Sequence, residues 1–305
     1  MITKSSNRPL PRQAALIVNA HSRKGEALFA EAKEKLEEAG IDLLAAHAVK
    51  NPALMEETVA KAIADGAPMV IVGGGDGSMS STVDQFVGKD CVFAVLPLGT
   101  ANSFARTLGL PLDLDGAIAA IANGRRRRVD LGMIDQDYFV NAASLGLSPI
   151  IGETVPDNLK RYLGRFGYLF WAIKCLAAFR PFKLILDDGA NKHILWSTEV
   201  RILNGPYHGG LELSDNAEID SGQILIQAVV GKSKWKLAWD WYAKALKLRD
   251  RNANAREFIG TSFQLETRPK LKISIDGEVL ASTPVQVRVA TQAIEVAYPV
   301  RSLKK

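Results

Sequence analysis

The sequence predicts an α/β amino-terminal domain with a doubly wound, mostly parallel sheet, followed by a mainly antiparallel β-sandwich. Three observations predict it. Short apolar runs alternate with helical patterns before Gly124, period-two alternation replaces that texture afterwards, and a glycine-rich turn directly follows one of the early apolar runs. Continuous apolar strands separated by helices indicate a parallel sheet covered on both faces. Alternating strands indicate antiparallel sheets with one wet face.

The elements follow in order. Ala14–Val18 reads as a buried strand, Glu26–Ala39 as a helix stopped by Gly40, and Ile41–Val49 as a second strand. Pro52 opens a helix ending near Gly66, before the apolar strand Met69–Val72. A helix over Met79–Val87 leads to the strand Val92–Leu96. After Gly124, Val129–Ile134 and Asp137–Asn141 read as two strands around a turn. Further strands fall at Phe182–Leu186, Glu199–Leu203, Ile224–Val230, Phe263–Leu265 and Leu271–Ile275. Helices at Asn158–Phe179 and Lys234–Leu246 interrupt them.

Composition bounds the function classes. At roughly 100–200 residues per domain, 305 residues suggest two domains. The net charge of +5 suits a polyanionic partner without selecting one. Arg125–Arg128 is the basic run, read as a solvated helix end or as a contact with an anionic bilayer. Cys91 and Cys175 sit in apolar stretches and read as buried free thiols; His21, His47, His193 and His208 lack metal-ligand spacing. Met1–Pro11 is polar, with no apolar signal region, and Tyr168–Phe179 is too short to span a bilayer. A soluble, cytoplasmic protein is expected. Trp235, Trp239 and Trp241 on the later helix read as core packing, with membrane-interface contact as the alternative.

The most informative segment is Val70-Ile-Val-Gly-Gly-Gly-Asp-Gly-Ser-Met-Ser80. Glycine lets backbone approach a ligand closely, and a helix start offers unpaired N–H groups and a positive dipole end. Together these make a phosphate cradle. The dinucleotide fingerprint fails, because Ser80 stands where its third glycine belongs. The Walker A pattern also fails, because Ile226 precedes Gly231-Lys-Ser where the first glycine must be. Asp76 would repel phosphate unless it holds Mg²⁺ or takes a proton; alternatively it caps the helix. A second turn, Leu96-Pro-Leu-Gly-Thr-Ala-Asn-Ser-Phe-Ala-Arg106, follows a buried strand and opens a helix at the same sheet edge.

These runs carry a family resemblance. The first loop resembles the Gly-Gly-Asp-Gly-Thr loop of diacylglycerol, sphingosine and NAD kinases. The second turn is similar to the Pro-Leu-Gly-Thr-Ala-Asn-Asp-Phe-Ala-Arg run of the bacterial diacylglycerol kinase-like group. Further matches follow at Arg128–Gly132, Phe139–Gly146, Leu163–Tyr168, Asn204 with Gly209-Gly210, and Ile275–Glu278. The resemblance implies an NAD kinase/diacylglycerol kinase-like fold. Residues 1–125 and the tail 288–305 would form the nucleotide-binding domain, and 126–287 the lipid-substrate sandwich.

It also implies ATP and Mg²⁺ as cofactors. Asn19, His47, Gly74, Gly75, Asp76, Gly77, Ser78, Met79, Ser80, Gly99, Thr100 and Asn102 would surround the nucleotide. Glu278 matches the family's general base, and Asp76 would support the catalytic Mg²⁺ through water. Read without the resemblance, Asp276-Gly277-Glu278 is simply a hairpin turn. Glu218, Asp220, Ser221 and Gln223 fall in what resembles a structural-metal loop. Departures are Ser78 for threonine, Ser80-Ser81 for Asn-Glu, Ser103 for aspartate, and Ser221 for a ligand aspartate.

The expected function is ATP-dependent phosphorylation of a lipid hydroxyl, with transient peripheral contact at the inner membrane surface and no nucleic-acid partner. An NAD kinase-like enzyme, in which Asn141 would be followed by glutamate rather than Ala142, is the first rival. A weakly active or non-catalytic nucleotide- and lipid-binding member is the second. Which lipid is phosphorylated, and whether the chain forms a homodimer, stay open.

Overall fold

The structure, a computed structural model, describes residues 8–300 except residues 22, 155, 157–170, 172–173, 247 and 249–251. Strands β1 (Gln13–Asn19), β2 (Asp42–Val49), β3 (Met69–Gly74) and β4 (Val92–Pro97) run parallel in the order β4-β3-β1-β2. Every residue of β3 and β4 is buried, as their unbroken apolar runs require. Ala15, Ile17, Val70 and Val72 face one core cluster, with Met55 and Val59 of helix α2 (Met55–Ala64) and Met79 and Val83 of α3 (Asp76–Val83). Leu16, Val18, Met69 and Ile71 face the other, with α1 (Arg23–Glu38) and α5 (Leu114–Asn123). A short helix α4 (Ser103–Thr107) follows β4.

The second half opens with β5 (Arg125–Ile134), β6 (Asp137–Phe139), β7 (Ala142–Gly146) and helix α6 (Leu147–Thr154). Then come β8 (Phe182–Asp187), β9 (Lys192–Leu203), the small hairpin β10 (Tyr207–His208) and β11 (Leu211–Glu212), and β12 (Ile224–Val230). Helix α7 (Lys234–Ala245) leads to β13 (Ala255–Gly260), β14 (Ser262–Arg268), β15 (Lys272–Ile275), β16 (Glu278–Ser282) and β17 (Val285–Tyr298). Pairings among these strands are antiparallel, around an apolar core that includes Phe139, Phe182, Leu184, Ile226, Phe263 and Val287. Strand β17 belongs to both halves: it pairs antiparallel with β14 and β5, and its later residues Glu295 and Val296 pair parallel with β4.

Several local expectations change. Arg125–Arg128 lies in strand β5, not at a helix end. There Arg126 and Arg128 meet Glu295 at 3.4 and 3.5 Å, while Arg127 pairs with Asp220 and stacks 4.5 Å over Tyr298. Glu295 on the neighbouring strand β17 and Asp220 in the loop before β12 hold these cations in place. Helix α3 starts at Asp76, three residues before the predicted start, so Asp76 and Gly77 belong to its first turn. Trp235 and Trp239 are exposed, because Leu237, Asp240, Ala243 and Lys244 occupy the inward face of α7. Cys91 is buried as expected, but Cys175 is only half-buried. Most of the predicted helix Asn158–Phe179, and the Leu163–Tyr168 run, lie outside the described residues.

Candidate active site

The site begins with two turns at the carboxyl edge of the parallel sheet. β3 ends at Gly74, and Gly75 is the extended N-cap of α3. The amides of Ser78 and Met79 turn back to the Gly75 carbonyl at 3.0 and 3.2 Å. The amides of Asp76 and Gly77, in the first turn, have no intrahelical acceptor and lie at the positive end of the helix. A β-carbon on Gly74 would stand 2.6 Å from Cβ of Ser78, so only glycine lets this turn close. Asn19 Nδ2 donates to Ser78 Oγ at 3.1 Å and ties the end of β1 to the loop.

β4 ends beside it. A β-carbon on Gly99 would lie 2.5 Å from Cα of Gly75. Asn102, left-handed at φ 49°, shapes this second turn: its Oδ1 accepts from Gly99 N at 3.0 Å, and its Nδ2 donates to the Gly99 and Pro97 carbonyls. Its side chain therefore builds the turn. Thr100 is exposed at the tip of the same turn.

Glu278 comes from the other half of the chain. β15 and β16 are joined by a two-residue turn, Asp276-Gly277, with φ of 46° and 105°. Positive φ at both positions is the signature of a tight hairpin that favours Asp-Gly. The two carboxylates of this turn have different surroundings. Asp276 accepts hydrogen bonds from the amides of Val140, Asn141 and Ala142 at 2.8–3.1 Å, which anchors the hairpin to β7. Burial raises its pKa above the ordinary carboxylate value, against those amides. Glu278 is exposed and lines a cavity of about 510 Å³ with Asn19, Pro52, Ala53, Met55, Gly75, Gly77, Ser78 and Ser81. The glycine loop and the carboxylate from the sandwich thus share one space.

Other predicted residues lie elsewhere. Asp76 is outside that cavity lining; its Oδ1 accepts from Phe104 N at 3.1 Å, capping α4 rather than its own helix. Met79 is buried in the core below the loop, and Ser80 is half-buried. His47 is exposed and lines a neighbouring cavity of about 660 Å³, with Leu44, Leu54 and Thr58. The segment Pro52–Met55 borders both spaces: Leu54 faces the second, and Pro52, Ala53 and Met55 the first.

His208 has no role in the sequence reading beyond lacking metal-ligand spacing. Burial holds its pKa below the usual imidazole value, while Asp276 and Asp76 pull it upward. It ends β10, just before Gly209 and Gly210, both at positive φ. Gly210 N donates to Ser103 Oγ at 3.1 Å, so the hydroxyl where the resemblance expected aspartate holds this hairpin against α4. The glycine pair was the available signal, but only the fold brings it to the cleft.

The loop read as a structural-metal site does not fit a divalent cation. Asp220 is neutralised by Arg127. Ser221 Oγ lies 3.0 Å from the Glu218 carbonyl and 3.4 Å from the Gln223 carbonyl, closing the loop on itself. Asp130 accepts from Gly222 N at 2.6 Å and from Gln292 N at 2.7 Å, fastening the loop to β17. Among the described residues no group of three or more His, Cys, Asp or Glu side chains is placed to hold a metal. For a catalytic Mg²⁺ the carboxylate of Asp76, at the first turn of α3, would suit an ion held mainly by nucleotide phosphates and water.

Two glycine turns thus stand at the edge of a parallel sheet, and an antiparallel sandwich brings Glu278 to the cavity beside the first of them. Comparison with known proteins identifies the family. Residues 13–134 match the diacylglycerol kinase catalytic domain, and residues 141–298 match the YegS C-terminal NAD kinase beta sandwich-like domain. The chain belongs to the diacylglycerol kinase-like lipid kinase family. It is 26% identical over 312 residues to a diacylglycerol kinase of Bacillus subtilis (strain 168), covering 94% of this chain and 97% of that one. It is 28% identical over 243 residues to the probable lipid kinase YegS of Escherichia coli O1:K1 / APEC, covering 77% and 79%. A solved diacylglycerol kinase from Bacillus anthracis str. Sterne has the same fold, with a TM-score of 0.73 at 21% identity over 97% of this chain and 98% of that chain. No helix among the described residues is long and apolar enough to cross a membrane.

Proposed function

We propose that the protein is an ATP-dependent kinase that phosphorylates a lipid hydroxyl, with Glu278 as the base. The observation that carries this reading is the shared cavity of Glu278 and the loop residues Gly75, Gly77 and Ser78. Residues 1–125 and 288–305 form the nucleotide half, and 126–287 the lipid half. The amides of Asp76 and Gly77 hold the phosphates at the start of α3. The base of the nucleotide extends past Pro52–Met55 towards His47, whose cavity borders the same segment. Mg²⁺, when bound with ATP, spreads the phosphate charge; Asp76 is the residue that would hold it through water.

Glu278 orients the lipid hydroxyl and takes its proton. The hydroxyl oxygen bonds to the γ-phosphorus, and the bond from phosphorus to the bridging oxygen breaks towards ADP. The test is transfer of labelled γ-phosphate to a panel of lipid alcohols, with Glu278→Gln as control. Diacylglycerol, phosphatidylglycerol and sphingoid alcohols belong in the panel. Near-normal turnover by Glu278→Gln would sink the assignment.

Two observations favour a second reading, a nucleotide- and lipid-binding protein without catalysis. Asp76 already caps α4, and Ser103 supplies a hydroxyl where the resemblance expects a second acid. Stoichiometric ATP binding without transfer to any lipid in the panel would select it.

A further inference from the structure

Helix α7 is amphipathic in the reverse sense. Trp235, Trp239, Tyr242 and the following Leu246 recur at helical spacing, and they are 80%, 48%, 54% and 54% exposed. The inward positions hold Leu237, Asp240, Ala243 and Lys244. Asp240 accepts from Arg201 at 2.8 Å and from Lys244 at 2.5 Å, and Arg201 donates to Glu199 at 2.8 Å. Two acids and two bases therefore balance beneath the helix. Removing one partner of such a buried network leaves an uncompensated charge, so the network fixes which face of α7 points in. The apolar stripe is left pointing out.

The stripe has a charge pattern of its own. Among the charged residues of α7, the acid is Asp240, which is buried; Lys236 is exposed and Lys234 half-buried. Exposed Lys232, just before the helix, lies 4.3 Å over the Trp196 ring. Trp196 and Ile194 of β9 are 43% and 56% exposed, and Trp196 O accepts from Gly231 N at 2.8 Å, which sets Trp196 beside the loop that leads into α7. Large aromatic side chains with a polar handle, rimmed by lysine, are the composition of a bilayer-interface helix.

We propose that the outward face of α7, with Lys232 and Lys236, docks on the surface of an anionic lipid bilayer. The proposal deepens the lipid-kinase reading and rests on it for the choice of occupant. A second copy of this chain would set the same lysines against each other, whereas anionic headgroups neutralise them. The docked face is also linked to the cleft. Helix α7 packs on β11, and the β10–β11 hairpin delivers Gly210 N to Ser103 at the start of α4. Mooring α7 would hold the cleft close to the headgroups that carry its acceptor hydroxyl.

The test uses the full chain and flotation with two kinds of vesicle, phosphatidylcholine alone and phosphatidylcholine mixed with phosphatidylglycerol. Parent protein is expected to float with the anionic vesicles and to lose binding at high salt. Trp235→Ala with Trp239→Ala should weaken partitioning by about tenfold or more. Lys232→Glu and Lys236→Glu should each cost about fivefold or more on the anionic vesicles. Thermal unfolding checks that the variants stay folded, and light scattering follows their oligomeric state. Retained flotation by the double tryptophan variant, or no flotation of the parent, overturns the proposal. So does a parent dimer that dissociates in that variant. The two readings fail separately. Transfer to a micellar short-chain lipid without vesicle binding refutes the docking face alone. Vesicle binding without transfer to any lipid refutes the kinase alone.

Discussion

Gly99 and Gly75 meet backbone to backbone: a β-carbon built on Gly99 would lie 2.5 Å from Cα of Gly75. The contact presses the turn after β4 against the turn after β3, and it has no room for a side chain on Gly99, while a β-carbon on Gly75 would sit a tight 3.3 Å from Cα of Gly99. Gly77 differs. A β-carbon there meets nothing within 4 Å, yet Gly77 lines the cavity that also holds Glu278.

Two alanine substitutions should therefore separate folding from ligand binding. Gly99→Ala forces the turns apart and should cost about 1–3 kcal/mol in chemical denaturation. Gly77→Ala sits in the first turn of α3 and should leave stability equal or raise it by up to about 1 kcal/mol. Its methyl would nevertheless occupy space proposed for phosphate, so nucleotide affinity measured by calorimetry should fall. Unchanged nucleotide affinity in Gly77→Ala would count against the cradle.

The adjacent carboxylates of the β15–β16 turn make a second contrast. Asp276 holds three amides of the Val140–Ala142 segment, whereas Glu278 is exposed in the cavity. Asp276→Asn should lower stability by about 1–3 kcal/mol, because an amide cannot satisfy the same three donors. Glu278→Gln should unfold like the parent while losing about 100-fold or more in transfer rate. Equal losses of stability in the two variants would mean that Glu278 is also a structural residue.

The legible parts of this fold were those written in local pattern. Unbroken apolar runs marked β3 and β4 because both faces of those strands are covered. The Asp276-Gly277 pair marked a tight reversal because it favours positive φ. The glycine turns were legible for a different reason, the close backbone approach that leaves no space for a side chain at Gly74 or Gly99. Long-range pairings left no such trace. Arg125–Arg128 looked like a solvated run because Glu295 and Asp220 are far away in sequence. Trp241 does pack against the sandwich core, but Trp235 and Trp239 looked like core only because nothing local reveals that Asp240 faces Arg201, or that this pair turns Trp235 outward. Asp76 looked like a metal residue or a cap for its own helix, and nothing local reveals that its Oδ1 also accepts from Phe104 N, at the head of another.

Asp84 gives a pH test. Burial, with repulsion from Asp137 and Glu56, raises its pKa from 3.8 to about 6. A carboxyl that binds its proton more tightly when folded favours folding below the unfolded pKa, and that advantage is lost as pH rises through the folded one. The window is therefore pH 3.8 to about 6. The side chain still contacts solvent, so screening limits the effect to about 1 kcal/mol or less. Asp84→Asn should be more stable than the parent in urea at pH 7, and the gap should close near pH 4. A gap that instead widens on acidification would mean that the charged form is the favoured one.

Arg127 and Ser221 make the last prediction, about metal removal. Arg127 supplies the positive charge beside Asp220, and the Ser221 hydroxyl bridges towards the Glu218 and Gln223 carbonyls. A loop closed in this way needs no divalent ion to hold its shape. Adding a chelator to the purified chain should therefore leave its thermal midpoint unchanged, even if catalysis needs Mg²⁺ delivered with ATP. Arg127→Ala should change this behaviour. It removes the cation beside Asp220 and the stacking on Tyr298, and should cost about 1–2 kcal/mol. If chelation lowers the midpoint of the parent by several degrees, a metal rather than Arg127 holds the loop.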